Sequence, residues 1–126
     1  QAMREAEAYP GPSLILAYSP CIAHGIDMRD GLSQQVKAVE SGYWPLTRYN
    51  PLLRAAGRRP FILDSTRPTI KLEEFAYNEQ RYKMLRESNP EEATRLMKLA
   101  QESLNLRWQT YEHMANQDPS EFQPVS

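Results

Sequence analysis

The only cysteine of this chain, Cys21, lies in the stretch PSLILAYSPCIAHG, with His24 three residues after it and Asp27 six. Thiolates act as nucleophiles, redox partners or metal ligands, and spacing separates these uses. A phosphatase-type loop needs an arginine where Asp27 stands. A thioredoxin-like pair needs a second cysteine where His24 stands. Activation of the thiol by His24, with Asp27 orienting the imidazole, would require one short loop to fold back on itself, an awkward geometry for a cysteine hydrolase. Gly25 and Gly31 are too far apart for a dinucleotide-binding turn. Metal ligation suits the cysteine better. Iron–sulfur clusters usually take four cysteines, and one ligand is often remote in sequence from the others. Cys21 cannot hold a cluster alone, so the remaining thiolates would have to come from outside these residues. A small buried hydrophobe is the bland alternative for Cys21, and a loop-structuring, hydrogen-bonded residue is the reading for His24.

The elements that would position this loop follow from hydrophobic pattern. Leu14, Ile15, Leu16 and Ala17 make an unbroken apolar run, which predicts a buried strand over 13–18 that Pro20 terminates. In open α/β sheets, ligands bind beyond the carboxyl ends of strands, which is where Cys21 falls. Met28, Leu32, Val36 and Val39 recur at helical spacing, predicting a helix over 28–41 with Asp27 as cap and Gly42 as its end. The amino-terminal amides of that helix would favour a thiolate.

Residues 43–49 read as a second strand, placed at an edge by Pro45, and 61–64 as a third. The connection between them carries Arg54, Arg58 and Arg59, read as solvent or ion-pair partners, with the gripping of an anion as the alternative and no catalytic role assigned. A helix over 72–87 follows from the stripe Leu72, Phe75, Ala76, Tyr82 and Leu85. Asn89, Pro90 and Glu92 form a capping signal for a second helix, to about residue 114, with Ala93, Leu96, Met97, Ala100, Leu104, Trp108 and Tyr111 on its apolar face. A short link predicts an antiparallel hairpin. The expected organisation is α/β: a unit over 1–68, a helical hairpin over 69–115 and an extended tail over 116–126. Residues 1–8 read as the end of a helix begun upstream, and three short strands do not make a self-sufficient sheet, so the chain is expected to be part of something larger.

Fifteen basic and sixteen acidic residues in a mixed pattern give a net charge of -1, without the basic stripe that tracks phosphate backbones. Nucleic acid is not an expected partner. No run approaches the roughly 20 apolar residues of a membrane span, no secretory leader opens the chain, and a single cysteine fits a reducing compartment. A cytoplasmic location is the expectation.

The stretches GPSLILAYSPCIAHGI (11–26) and QQVKAVESGYWPLTRYNP (34–51), with Phe75, Arg81, Tyr82, Asn89 and Pro90, closely resemble the carboxyl-terminal part of the pyruvate:ferredoxin (flavodoxin) oxidoreductases. The resemblance implies the end of a domain that binds thiamine diphosphate and a proximal [4Fe-4S] cluster. It implies that Cys21 is the distant fourth thiolate of that cluster, with Ile22 and Ala23 packed beside it. The family's other cluster cysteines, and its segment for magnesium and the cofactor diphosphate, lie upstream. By the same resemblance the parent is a homodimer that converts pyruvate and coenzyme A to acetyl-CoA and carbon dioxide and passes electrons to ferredoxin or flavodoxin. This piece would be inactive alone. The alternative, from another functional class, is a stand-alone interaction module whose helical hairpin docks a partner and whose cysteine is structural.

Overall fold

The computed structural model of the chain describes residues 1–119. Helices α1 (Ala2–Ala8) and α2 (Gly31–Glu40) precede strand β1 (Thr47–Tyr49), helix α3 (Pro51–Ala55) and strand β2 (Phe61–Leu63). Helices α4 (Leu72–Ala76), α5 (Gln80–Ser88) and α6 (Pro90–Asn116) complete the order. The last part of the expected tail, 120–126, lies outside the described residues.

Strands β1 and β2 pair antiparallel, with Thr47 opposite Leu63 and Tyr49 opposite Phe61. The link between them folds as a helical turn because Asn50 accepts the Leu52 N–H at 3.0 Å and Pro51 takes the first helical position, where no amide is needed. These two strands are the whole sheet among the described residues, not the three expected. Residues 13–18 carry the apolar run but pair with nothing. No main-chain hydrogen bond joins them to a neighbour among the described residues, and Leu14 and Leu16 are 83% and 72% exposed. A strand needs a neighbour for its amides and carbonyls, and none of the described segments supplies one.

Helix α2 also departs from expectation. Asp27 caps a single 3-10 turn, Met28–Asp30, by accepting the Arg29 N–H, and the α-helix begins only at Gly31. Its inward face carries Gly31, Gln34 and Ala38, whereas Met28, Leu32 and Val36 of the predicted stripe face outward. Gln34 turns inward because buried polar partners await it on α4 and the turn after α4. The helix stops before Gly42, whose positive φ of 75° and close approach to Pro68 and Leu104 leave no room for a side chain.

The helix predicted over 72–87 is split. The chain leaves α4 at Tyr77 and starts again at Gln80, and the side chain of Asn78 donates to the freed Glu74 carbonyl at 2.7 Å. The cap at Asn89 forms as predicted, its side chain accepting the Glu92 N–H at 3.2 Å with Pro90 at the first helical position. The chain reverses there, so that the Leu72 N–H donates to Gln101 at 2.8 Å on the middle of α6.

The core gathers Ala38 from α2, Leu72, Phe75 and Ala76 from α4 and Leu104 from α6, with Tyr18, Tyr43, Trp44, Tyr82 and Met97 packed around them. Tyr43 lies against Phe75 with ring centroids 4.5 Å apart, and Tyr18 sits 5.5 Å from Trp44. On α6, Trp108 is buried and Tyr111 stacks on Phe61 of β2 at 5.9 Å. Leu96 and Ala100, predicted on the same face, are exposed.

Candidate functional site

The loop that carries Cys21 begins at Tyr18, which follows the apolar run and whose ring enters the aromatic cluster. Pro20 is buried, and the chain then turns outward. Cys21 is exposed and free. Its backbone is extended, and its sulfur caps the 3-10 turn Ile22–His24 by accepting the Ala23 N–H at 3.4 Å. That single amide hydrogen bond fixes the direction in which the sulfur leaves the loop. Among the described residues Cys21 is therefore not packed as a buried hydrophobe.

Ile22 is 72% exposed and Ala23 is exposed as well, so the apolar side chains expected beside an iron centre face outward. His24 is half-buried, and its Nδ1 is buried without a hydrogen-bond partner among the described residues. Asp27 does not orient it. The carboxylate is engaged by Arg29, at 3.0 Å from Nε, and by the backbone cap, and these bonds hold the Asp27 carboxyl below its usual range. A Cys–His–Asp relay is therefore not assembled. Helix α2 starts after the second 3-10 turn, so the arrangement of its first amides around the sulfur also differs from the simple strand–loop–helix expectation.

The loop closes at Gly25, which adopts a positive φ of 74° and accepts the Gln80 N–H at 3.1 Å through its carbonyl. A Cβ at Gly25 would stand 2.3 Å from Cβ of Gln80. At the other end, the Tyr18 hydroxyl donates to Glu79 at 3.4 Å. Both ends of the cysteine loop are thus tied to adjacent residues, Glu79 in the turn after α4 and Gln80 at the start of α5.

Glu79 is the polar centre of this arrangement. It is fully buried, and besides Tyr18 it accepts from Gln34 at 3.2 Å and pairs with Arg81 at 2.5 Å. Gln34 in turn donates to the Phe75 carbonyl at 3.1 Å and accepts from Asn78 at 3.2 Å. Burial, reinforced by the Glu79 charge, pushes the Tyr18 phenol up to about 12, which keeps it a donor at neutral pH. Pattern reading passed over Glu79 and Gln34. The available signal was positional: Glu79 follows Phe75 by four residues and therefore falls on the stripe that points inward, where an unpaired carboxylate would be costly.

The three arginines of the connection do not converge on the loop. Arg59 donates to the Gln117 carbonyl at 3.1 Å, and Arg54 and Arg58 lie exposed on the same connection. The arginine with the strongest local partners is Arg48, on β1, which joins Glu5 of α1 and Asp64 after β2. Among the described residues, no group of three or more His, Cys, Asp or Glu side chains is placed to hold a metal ion. Cys21 therefore fits a cluster as one donor and not as a complete site.

No protein-family model matches the chain. Individual relatives do. A pyruvate-flavodoxin oxidoreductase from Nostoc is 51% identical over 92% of the chain, and one from Trichormus variabilis is 52% identical over 91%. A pyruvate:ferredoxin oxidoreductase from Moorella thermoacetica is 47% identical over 91%. The chain is homologous to a segment of these oxidoreductases. It spans about 10% of the length of each of these relatives. Identity at this level over nearly all of the described residues carries the loop, α2, the sheet and the hairpin together, so the likeness to pyruvate oxidoreductases is not confined to the cysteine motif. No helix among the described residues is long and apolar enough to cross a membrane.

Proposed function

We propose that this chain is one segment of a pyruvate oxidoreductase and that its part in the reaction is to supply Cys21 as a single thiolate of a [4Fe-4S] cluster. The remaining ligands, together with thiamine diphosphate and its magnesium ion, belong to protein beyond these residues. The parent reaction takes pyruvate and coenzyme A to acetyl-CoA, carbon dioxide, a proton and two electrons, and the electrons leave for flavodoxin or ferredoxin. When bound, thiamine diphosphate supplies stabilisation of the carbanion left by decarboxylation, and the cluster supplies an electron acceptor.

The observation that carries this reading is the exposed Cys21 sulfur, held by an amide hydrogen bond on a loop whose two ends are pinned. The chain's own residues orient the donor: Tyr18 and Gly25 fix the loop ends, and Pro20 directs the chain outward. The apolar run over 13–18 fits the same reading. The side chains of Leu14, Ile15 and Leu16 are exposed on both faces, as suits the central strand of an α/β sheet whose other strands, in the thiamine diphosphate domain, come from the rest of the polypeptide. That domain, ending near residue 68 and followed by the helical hairpin, is the organisation we assign to the parent, which works as a homodimer in the cytoplasm.

The test is Cys21→Ser in the full-length enzyme, followed by electron paramagnetic resonance of the reduced protein. One cluster signal is expected to disappear or change type, and reduction of flavodoxin or ferredoxin to fall with it. A spectrum identical to that of the parent overturns the ligand assignment.

A further inference from the structure

We infer that Glu79 is a positioning residue for the Cys21 sulfur and that, with the adjacent main chain of Gln80, it clamps the cysteine loop at both ends. The inference rests on the reading of Cys21 as a cluster ligand and extends it to residues outside the cysteine motif.

Among the described residues Cys21 makes only local hydrogen bonds, through its own carbonyl to the His24 N–H and through its sulfur to the Ala23 N–H. Its place relative to the body of the protein is therefore set by the loop ends. One end is the hydroxyl of Tyr18 on Glu79, and the other is the Gly25 carbonyl on the Gln80 N–H. The two attachments fall on consecutive residues because the helix predicted over 72–87 breaks there. An unbroken helix would commit the Gln80 amide to the carbonyl of Ala76. In the observed turn that amide is free to bind Gly25, and the Glu79 carboxylate points inward.

A fully buried carboxylate is an expensive way to hold a core together, since an apolar side chain of similar volume often serves stability as well or better. What Glu79 provides that an apolar residue would not is direction. Its oxygens accept from Tyr18, from Gln34 on α2 and from Arg81 on α5, so the loop, the helix that follows it and the hairpin are registered through one group. Gly25 completes the clamp, because any side chain there would strike Gln80 and force the loop away.

The experiment compares Tyr18→Phe, Glu79→Gln and Cys21→Ser in the full-length enzyme. Tyr18→Phe removes one hydroxyl and keeps the ring in the aromatic cluster, so it remains informative if the glutamine variant folds poorly. Two readouts are taken: the midpoint potential and line shape of the cluster signal that Cys21→Ser removes, and the alkylation rate of the Cys21 peptide by iodoacetamide after chelator removal of iron. Both clamp variants are expected to shift the potential and broaden the signal, and in Tyr18→Phe the far-ultraviolet circular dichroism and melting temperature stay near the parent's. Alkylation of Cys21 is expected to quicken about fivefold, the factor that one lost hydrogen bond typically gives. An alkylation rate and a signal unchanged in Tyr18→Phe overturn the clamp. If Cys21→Ser leaves every cluster signal intact, the ligand reading fails, and the alkylation rate alone still decides whether Glu79 positions the thiol.

Discussion

Gly42 shows how much a single position decides in this chain. It lets α2 stop, turns the backbone toward β1 and presses against Pro68 and Leu104, which come from the two segments that close over it. A methyl group there would stand 2.7 Å from Cγ of Pro68 and 3.1 Å from a methyl of Leu104, in a backbone conformation with φ of 75°. The left-handed backbone and the contacts act in the same direction, so Gly42→Ala is expected to destabilise the fold by about 2–4 kcal/mol. Gly57 is the internal control: its φ is 65°, but no atom lies within 4 Å of the added Cβ. Gly57→Ala should therefore cost only the backbone term, about 1 kcal/mol. Chemical denaturation of the two variants separates the contributions, and equal losses would contradict the packing argument. Gly42 was legible in the sequence as a helix end, whereas its contact with Pro68 was not, because nothing local announces which distant proline will arrive there.

At the scale of elements, short strands and a short first helix are tied together by charge. The Arg48 guanidinium, mostly buried on β1, donates to Asp64 beyond β2 and to Glu5 on α1. Both carboxyls lie below their usual range, chiefly because of their hydrogen bonds to Arg48, and the guanidinium is raised in return. A carboxyl depressed in the folded state contributes stability that is complete above its unfolded value and is lost as the pH falls through the folded one. Acidification is therefore expected to release α1 and loosen the β1–β2 pair, in a window below the ordinary carboxylate range. Arg48→Met should abolish that acid-induced step and leave a protein already loosened at neutral pH. Amide exchange of Arg48 and Ile62 as a function of pH checks both statements, and an acid profile that is the same in the variant would reject the link.

The sequence pattern foresaw the strand at 61–63, the cap at Asn89 and the stripe Leu72, Phe75 and Ala76, since each is set by residues adjacent in the chain, but of the strand expected over 43–49 only Thr47–Tyr49 forms, because Tyr43 and Trp44 pack around the core instead. It did not foresee the break before Gln80. Neither glycine nor proline marks that break; it comes from Glu79 finding buried partners on elements far away in sequence. The face of α2 was misread for the same reason, because Gln34 is drawn inward by Glu79 and the Phe75 carbonyl while Leu32 and Val36 are left outside. At the candidate site, the motif drew attention to Cys21, but nothing in it announced the groups that hold the loop.

The apolar surface of the whole molecule is distributed unevenly, and the distribution has a consequence. Leu14, Leu16, Ile22, Met28, Leu32 and Val36, all of the segment from the apolar run through α2, are more than half exposed. Isolated apolar side chains at a surface are ordinary, but six of them within one stretch of the chain are what a segment packed against further protein would show. The relatives are about ten times longer than this chain, and under the proposal that it is one segment of such an enzyme the covering surface would come from the same polypeptide. If residues 13–18 enter a sheet there, their amides must acquire partners that they lack in the segment alone. Hydrogen exchange should therefore find these amides unprotected in the isolated chain and slowed by about 10³-fold or more in the full-length enzyme, as for core strands that open only by global unfolding. The amides of α6 between 101 and 108, already packed on the core, should change far less between the two. Equal exchange of residues 13–18 in both settings would mean that the apolar run stays open in the parent. The strand reading would then fail, while the tethering of the Cys21 loop to Glu79 and Gln80 would stand, since both of those contacts lie inside this chain.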